Sequence, residues 1–189
     1  MKLFSFAFAA VLSLASFASA AFAQSGNTLT IQLKDGPVVI QLMPDVAPKH
    51  VAQIEALAKK GAYDNVAFHR VIEGFMAQTG DVKFGNMEKG FDASRAGTGG
   101  SDLPDLPAEF SKTPFVRGTV GMARSQDPNS ANSQFFIMFA DGSFLNGQYT
   151  VVGKVVSGME NVDKIKRGEG QNGEVSNPDR MIKVTVGSK

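Results

Sequence analysis

All 20 glycines and all 8 prolines of this 189-residue chain fall after residue 23. They make up 28 of the remaining 166 residues, about 17% where roughly 12% is usual. Glycine and proline interrupt helices and strands alike, so a chain cut this often is confined to short elements joined by tight turns. Between the cuts the apolar residues alternate. Leu29, Ile31 and Leu33 are followed by an Asp35-Gly36 turn and then by Val38, Ile40 and Leu42, which reads as a hairpin. Further strands are expected at 66–72, 75–79, 118–123, 134–139, 150–156 and 181–186. Val51, Ile54, Leu57 and Ala58 recur at helical spacing behind Pro48 and before Gly61, which predicts a helix over roughly 47–60. A second helix is expected near 158–167. Ser157 and Glu160 fit a capping box there, Val162 and Ile165 an apolar face, and Lys164, Lys166 and Arg167 a C-terminal end. About eight short strands and two helices, with no internal repeat and no long linker, predict a mainly β domain over 24–189. Its expected form is a closed eight-stranded antiparallel β-barrel capped by the two α-helices.

The first 23 residues are a different kind of sequence: 18 are apolar, four are serine and one is lysine. Lys2 is followed by an uncharged stretch from Leu3 to Phe17 and then by small residues. That is the layout of a cleaved signal peptide, residues 1–23, cut after Ala21-Phe22-Ala23 and before Gln24, with Ala18-Ser19-Ala20 as the second choice. The competing reading is an uncleaved membrane anchor. No later segment approaches the ~20 apolar residues needed to span a bilayer. The mature protein is therefore expected in the periplasm, without stable membrane association. Residues 24–189 carry 18 basic and 18 acidic side chains. That balance argues against nucleic acid as a partner, which would call for a basic face. The absence of cysteine removes disulfides, thiol catalysis and cysteine-based zinc sites, and two histidines, His50 and His69, argue against a histidine metal site. His50, in the first turn of a helix, reads as a solvated residue.

Three segments do not fit plain structural roles. In Phe68-His69-Arg70-Val71-Ile72, strand alternation puts Phe68 and Arg70 on one face and His69 and Val71 on the other. Arg70 is then a cation among apolar neighbours, with Phe75, Met76 and Gln78 close by; the alternative is a surface arginine whose stem covers apolar area. In Ser133-Gln134-Phe135-Phe136-Ile137-Met138, both faces carry large apolar groups. One face fills a core, and the other either lines a groove or is buried too. In Asp141-Gly142-Ser143-Phe144-Leu145-Asn146-Gly147-Gln148-Tyr149, two apolar residues sit between turn dipeptides, either tucked under the loop or forming a pocket wall. Gly97-Thr98-Gly99-Gly100 lacks the spacing of a nucleotide loop.

Together with Gly74-Phe75-Met76-Ala77-Gln78-Thr79-Gly80-Asp81, Gly121-Met122-Ala123-Arg124 and Val152-Gly153-Lys154-Val155, these segments resemble the cyclophilin family of peptidyl-prolyl cis/trans isomerases. They fall in family order and cover nearly all of residues 28–186. The resemblance implies a capped eight-stranded barrel, an isomerase of X-Pro bonds in exported proteins, and no metal or cofactor. It places the catalytic arginine on Arg70 and the proline pocket on Phe75, Met76, Gln78, Phe136 and Leu145. Ala123, Arg124 and Ser125 would lie along the bound peptide with Gln134 beside them. Phe144 and Tyr149 stand where familiar eukaryotic members carry tryptophan and histidine. The substitution at Phe144 argues against tight cyclosporin binding while leaving isomerisation in place. The segment between Asp81 and Gly97 is longer than in those members. It reads as a solvated loop carrying Lys83, Glu88, Lys89, Asp92 and Arg95, with contact to a client chain as the alternative. The implied partners are Pro-containing polypeptides, and a monomer is expected. Two other readings share the scaffold: a chaperone or binding module for Pro-containing chains with little turnover, and a hollow barrel that carries a small ligand.

Overall fold

The computed structural model describes residues 27–187. The expected signal peptide and its cleavage site lie outside them. The hairpin forms as read, with β1 (Thr28–Leu33) and β2 (Gly36–Leu42) paired in register from Thr28↔Gln41 to Leu33↔Gly36. Its alternating apolar residues all point into one buried core. The remaining strands are β3 (Val66–Ala67), β4 (Arg70–Ile72), β5 (Met76–Thr79), β6 (Thr119–Met122), β7 (Phe135–Met138), β8 (Val151–Ser157), β9 (Arg180–Met181) and β10 (Lys183–Val186). Eight of them form one antiparallel sheet in the order β10-β1-β2-β8-β6-β7-β5-β4.

The expected closure is looser than a continuous ladder. The sheet ends at β10 and β4, and the gap between them is spanned by the short β3–β9 pair. Single backbone bonds extend this seam: Phe68 N donates to Asp179 O (2.8 Å), Val71 N to Gly173 O (2.7 Å) and Val175 N to His69 O (3.1 Å). At the first strand of the sheet, Gly187 N donates to Thr28 O (2.8 Å) and Leu29 pairs with Val186, so the two ends of the described chain lie side by side.

The expected strand 66–72 is broken at Phe68-His69, which corrects the reading of its faces. Phe68 and Val71 both enter the core, whereas simple alternation put them on opposite sides. The break lets Arg70 and Ile72 face outward. Side chains from β1, β2, β6, β7 and β8 fill the interior with those of helix α1 (Pro48–Lys59). These side chains pack together as one buried cluster.

Helix α1 begins as expected, with Pro48 in its first turn, but Ala47 supplies no side-chain cap. Glu109 does so from 60 residues away, its carboxylate accepting from Lys49 N (3.1 Å) and His50 N (3.2 Å). The same carboxylate meets His50 Nδ1 at 2.7 Å. His50 is fully buried, which corrects its reading as a solvated residue: a partner distant in sequence makes its burial tolerable. The second helix is also shorter than expected. Helix α2 (Met159–Val162) is a single turn, and Ser157 belongs to β8. Its N-cap is Gly158 at φ +83°, so the expected capping box is not formed. A side chain on Gly158 would strike the Pro37 carbonyl, so glycine is required there on two counts. Val162 and Ile165 are buried as expected, while Lys164, Lys166 and Arg167 follow the helix instead of ending it.

Candidate active site

Strand β7 separates two apolar clusters. Phe135 and Ile137 join the barrel core, and Phe136 and Met138 join a second cluster with Met76, Phe115, Leu145 and Val151 on the outer face. The second cluster forms the bed of a groove of about 420 Å³. Phe136 and Phe115 stack at 5.7 Å between centroids, and Tyr149 meets Phe136 edge-on at 5.9 Å. Leu145, on a 3₁₀ turn (Ser143–Leu145), is tucked under the loop, while Phe144 stands 64% exposed over Phe75 at 5.4 Å. Both expectations for that loop hold, one for each residue.

Ten expected residues line this groove: Arg70, Phe75, Met76, Gln78, Ala123, Arg124, Phe136, Phe144, Leu145 and Tyr149. Gln134 and Ser125 lie in an adjoining recess of about 390 Å³, which shares Gln78, Ala123 and Arg124 with the groove. Two contributors escaped the sequence reading. Gln148 lines the groove, and Asn172 fixes Arg70 from 102 residues away. Gln148 sits in the segment singled out above and could have been included. Asn172 contributes through its backbone carbonyl, which no side-chain pattern reveals.

Arg70 is held from two sides. Its Nε donates to Asn172 O (2.9 Å) and its Nη1 to Gln78 Oε1 (3.3 Å). Gln78 Nε2 then donates to Gln134 Oε1 (3.0 Å), and Gln134 Nε2 to the carbonyls of Gly97 (3.0 Å) and Gly99 (2.7 Å). The relay ends on a loop organised by buried Asp81, whose two oxygens accept from Lys83 N, Phe84 N, Gly97 N and Gly99 N. Through Asp81 the long 82–96 segment is tied back to the site, with Arg95 stacked 3.7 Å over Phe84. Partial burial lowers the Arg70 pKa from its ordinary value, while Tyr149 opposes the shift. A guanidinium so lowered is still a cation at neutral pH. Neighbouring His69 is buried, and that burial pushes its pKa down, so it stays neutral and adds no like charge.

A directed cation above an apolar bed suits a reaction that rotates a bond and breaks none. Residues 28–186 match the family model described as "Cyclophilin type peptidyl-prolyl cis-trans isomerase/CLD", and the chain belongs to that family. Among curated relatives, a Brucella suis protein named "Probable peptidyl-prolyl cis-trans isomerase" is 72% identical over 93% of this chain and 90% of its own length. Peptidyl-prolyl cis-trans isomerase B of Escherichia coli K12 is 37% identical over 73% of this chain and 83% of its own. Among solved structures, a cyclophilin from Hirschia baltica superposes with a TM-score of 0.71 at 27% identity, covering 85% of this chain and 74% of that one. A Cryptosporidium parvum cyclophilin-type isomerase, crystallised in the presence of the dipeptide Ala-Pro, gives 0.72 at 26% identity, covering 86% and 99%.

Proposed function

We propose that this cyclophilin-type isomerase turns over X-Pro bonds of exported polypeptides, with Arg70 as its catalytic residue. The reaction's barrier, roughly 18–20 kcal/mol, is the amide resonance lost on rotation about C–N. Catalysis then requires tighter binding of the twisted amide than of either planar form. In the twisted state the proline nitrogen is pyramidal and carries a localised lone pair. Arg70 donates to that nitrogen, while the bed of Phe136, Met76 and Leu145 holds the ring. The observation that carries this reading is how Arg70 is tethered. Its Nε and one Nη1 hydrogen are committed to Asn172 and Gln78, and the Nη2 group has no partner among the described residues. It is aimed and still free to donate. The Ala-Pro dipeptide present with the Cryptosporidium relative favours the same class of ligand.

Arg70→Ala is expected to lower turnover of an Ala-Pro peptide by about 10²–10³, the usual contribution of one positioned donor, with the fold intact. A mutant as fast as wild type removes Arg70 from the mechanism. A wild-type chain that binds such peptides without accelerating their exchange makes the protein a chaperone or binding module instead. The apolar leader of residues 1–23 supports export to the periplasm, where newly translocated chains would be the clients. With tryptophan replaced by the exposed Phe144, cyclosporin is expected to bind weakly, and nothing in the site calls for a metal or cofactor.

A further inference from the structure

The charge of the groove does not match that of the chain. Residues 24–189 balance 18 basic against 18 acidic side chains. Yet the groove and its adjoining recess are lined by two guanidinium groups, Arg70 and Arg124, and by no carboxylate. Neither arginine has an ion-pair partner among the described residues. Of the acids that adjoin these segments in sequence, Glu73 pairs with Arg167, while Asp127 and Asp141 accept from Asn129 N and Ser143 N; none of the three lines the groove or the recess.

Arg124 is fixed in place by neutral groups alone. Its Nη1 donates to the carbonyls of Ser125 (2.8 Å) and Gln126 (3.3 Å), and its Nε and Nη2 both donate to Gln148 O (3.3 and 2.9 Å). The guanidinium lies 4.4 Å over the Tyr149 ring. Carbonyls and a ring face orient a cation without neutralising it. Arg124 also stands on the ridge where groove and recess meet, so a chain with its proline in the groove passes this charge with a flanking residue.

We propose that Arg124 is a specificity-determining residue that selects acidic side chains next to the isomerised proline. The proposal rests on the isomerase reading above and names its substrate class. The attraction acts at a half-buried, solvent-open site, so it is modest. A Glu-bearing peptide should exceed its Lys counterpart in kcat/KM by roughly three- to tenfold, the Gln peptide falling between them.

The test measures exchange by NMR, without a coupling protease, on peptides carrying Glu, Gln or Lys at each residue flanking the proline. At one flanking position the Glu-to-Lys ratio should stand clear of one. It should shrink at about 0.5 M salt, where charges farther apart than ~4 Å are screened. It should fall at least about twofold in Arg124→Gln and persist in Arg124→Lys, since only the former removes the charge. A ratio taken within one variant does not depend on how much of that variant is folded. Equal rates for Glu and Lys peptides at every position overturn the proposal. So does a ratio that Arg124→Gln leaves unchanged, or one that Arg124→Lys loses equally. If wild type fails to accelerate even the Gln peptides, the isomerase reading itself falls.

Discussion

Phe136 keeps its place because Gly121 has no side chain. A Cβ at Gly121 would lie 2.5 Å from Phe115 Cε1 and 2.7 Å from Phe136 Cζ. Both rings are buried and stacked on each other, and of the two only Phe136 lines the groove, so it is the ring with room to yield. Gly121→Ala should therefore push Phe136 into the groove. Overpacking of this kind costs about 1–3 kcal/mol. The expected outcome is a lower urea midpoint together with a raised KM for Ala-Pro peptides, while kcat changes less because Arg70 lies on β4 and its shorter tether, Asn172 O, lies outside the sheet, although the other tether, Gln78, sits opposite Phe136 on β5. A KM equal to that of wild type would show that the ring is not part of the proline bed. Residues of this kind are half legible. That Phe135 and Phe136 point to opposite faces follows from alternation alone; that the face of Phe136 lines a groove does not. The need for glycine opposite Phe136 arises only once β6 and β7 are side by side, with Gly121 in register with Phe136.

At the level of elements, the start of helix α1 shows where reading a sequence stops. Its apolar period is local and was plain; its cap is not local and was invisible. Glu109 meets two amide donors of the first turn and Nδ1 of the buried His50 imidazole at once. Burial pushes the Glu109 carboxyl up, but the hydrogen bonds from His50 and Lys49 outweigh it and its pKa lies below the ordinary 4.5. A lowered carboxyl pKa stabilises the fold above the unfolded value, and the gain is lost as pH falls through the folded one. Glu109→Ala should cost about 1–3 kcal/mol near neutral pH, chiefly from donors left without partners. Its deficit against wild type in urea melts should be full above pH 4.5 and narrow below it. A deficit that does not change between pH 7 and 3 would mean that packing, and not the carboxylate, is what was lost. The break at Phe68-His69 was hidden for a related reason. It depends on Asp179 and Gly173 taking over the backbone bonds of the seam, more than 100 residues downstream. The single turn of α2 differs again, because a left-handed Gly158 begins it where a local capping pattern was expected from Ser157 and Glu160.

The whole molecule divides its apolar surface between a filled barrel and an outer bed, with β7 as the shared wall. Nothing in either cluster involves a cysteine, so the fold is the same in a reducing cytosol and in an oxidising compartment. That suits a chain read as passing from one to the other. If residues 1–23 are a cleaved leader, protein recovered from the periplasmic fraction should begin at Gln24 by intact mass. A retained Met1 in the membrane fraction would instead mark an anchor. The neighbouring ends of the sheet carry a further consequence. Because Gly187 bonds to Thr28 across β10 and β1, the strands follow one another around a ring, and the point at which the polypeptide is cut open is topologically incidental. A short linker joining 187 to 28, with new ends opened in an exposed turn, would leave every strand with the neighbours it has now: the fold is a property of the cycle and not of where the chain starts.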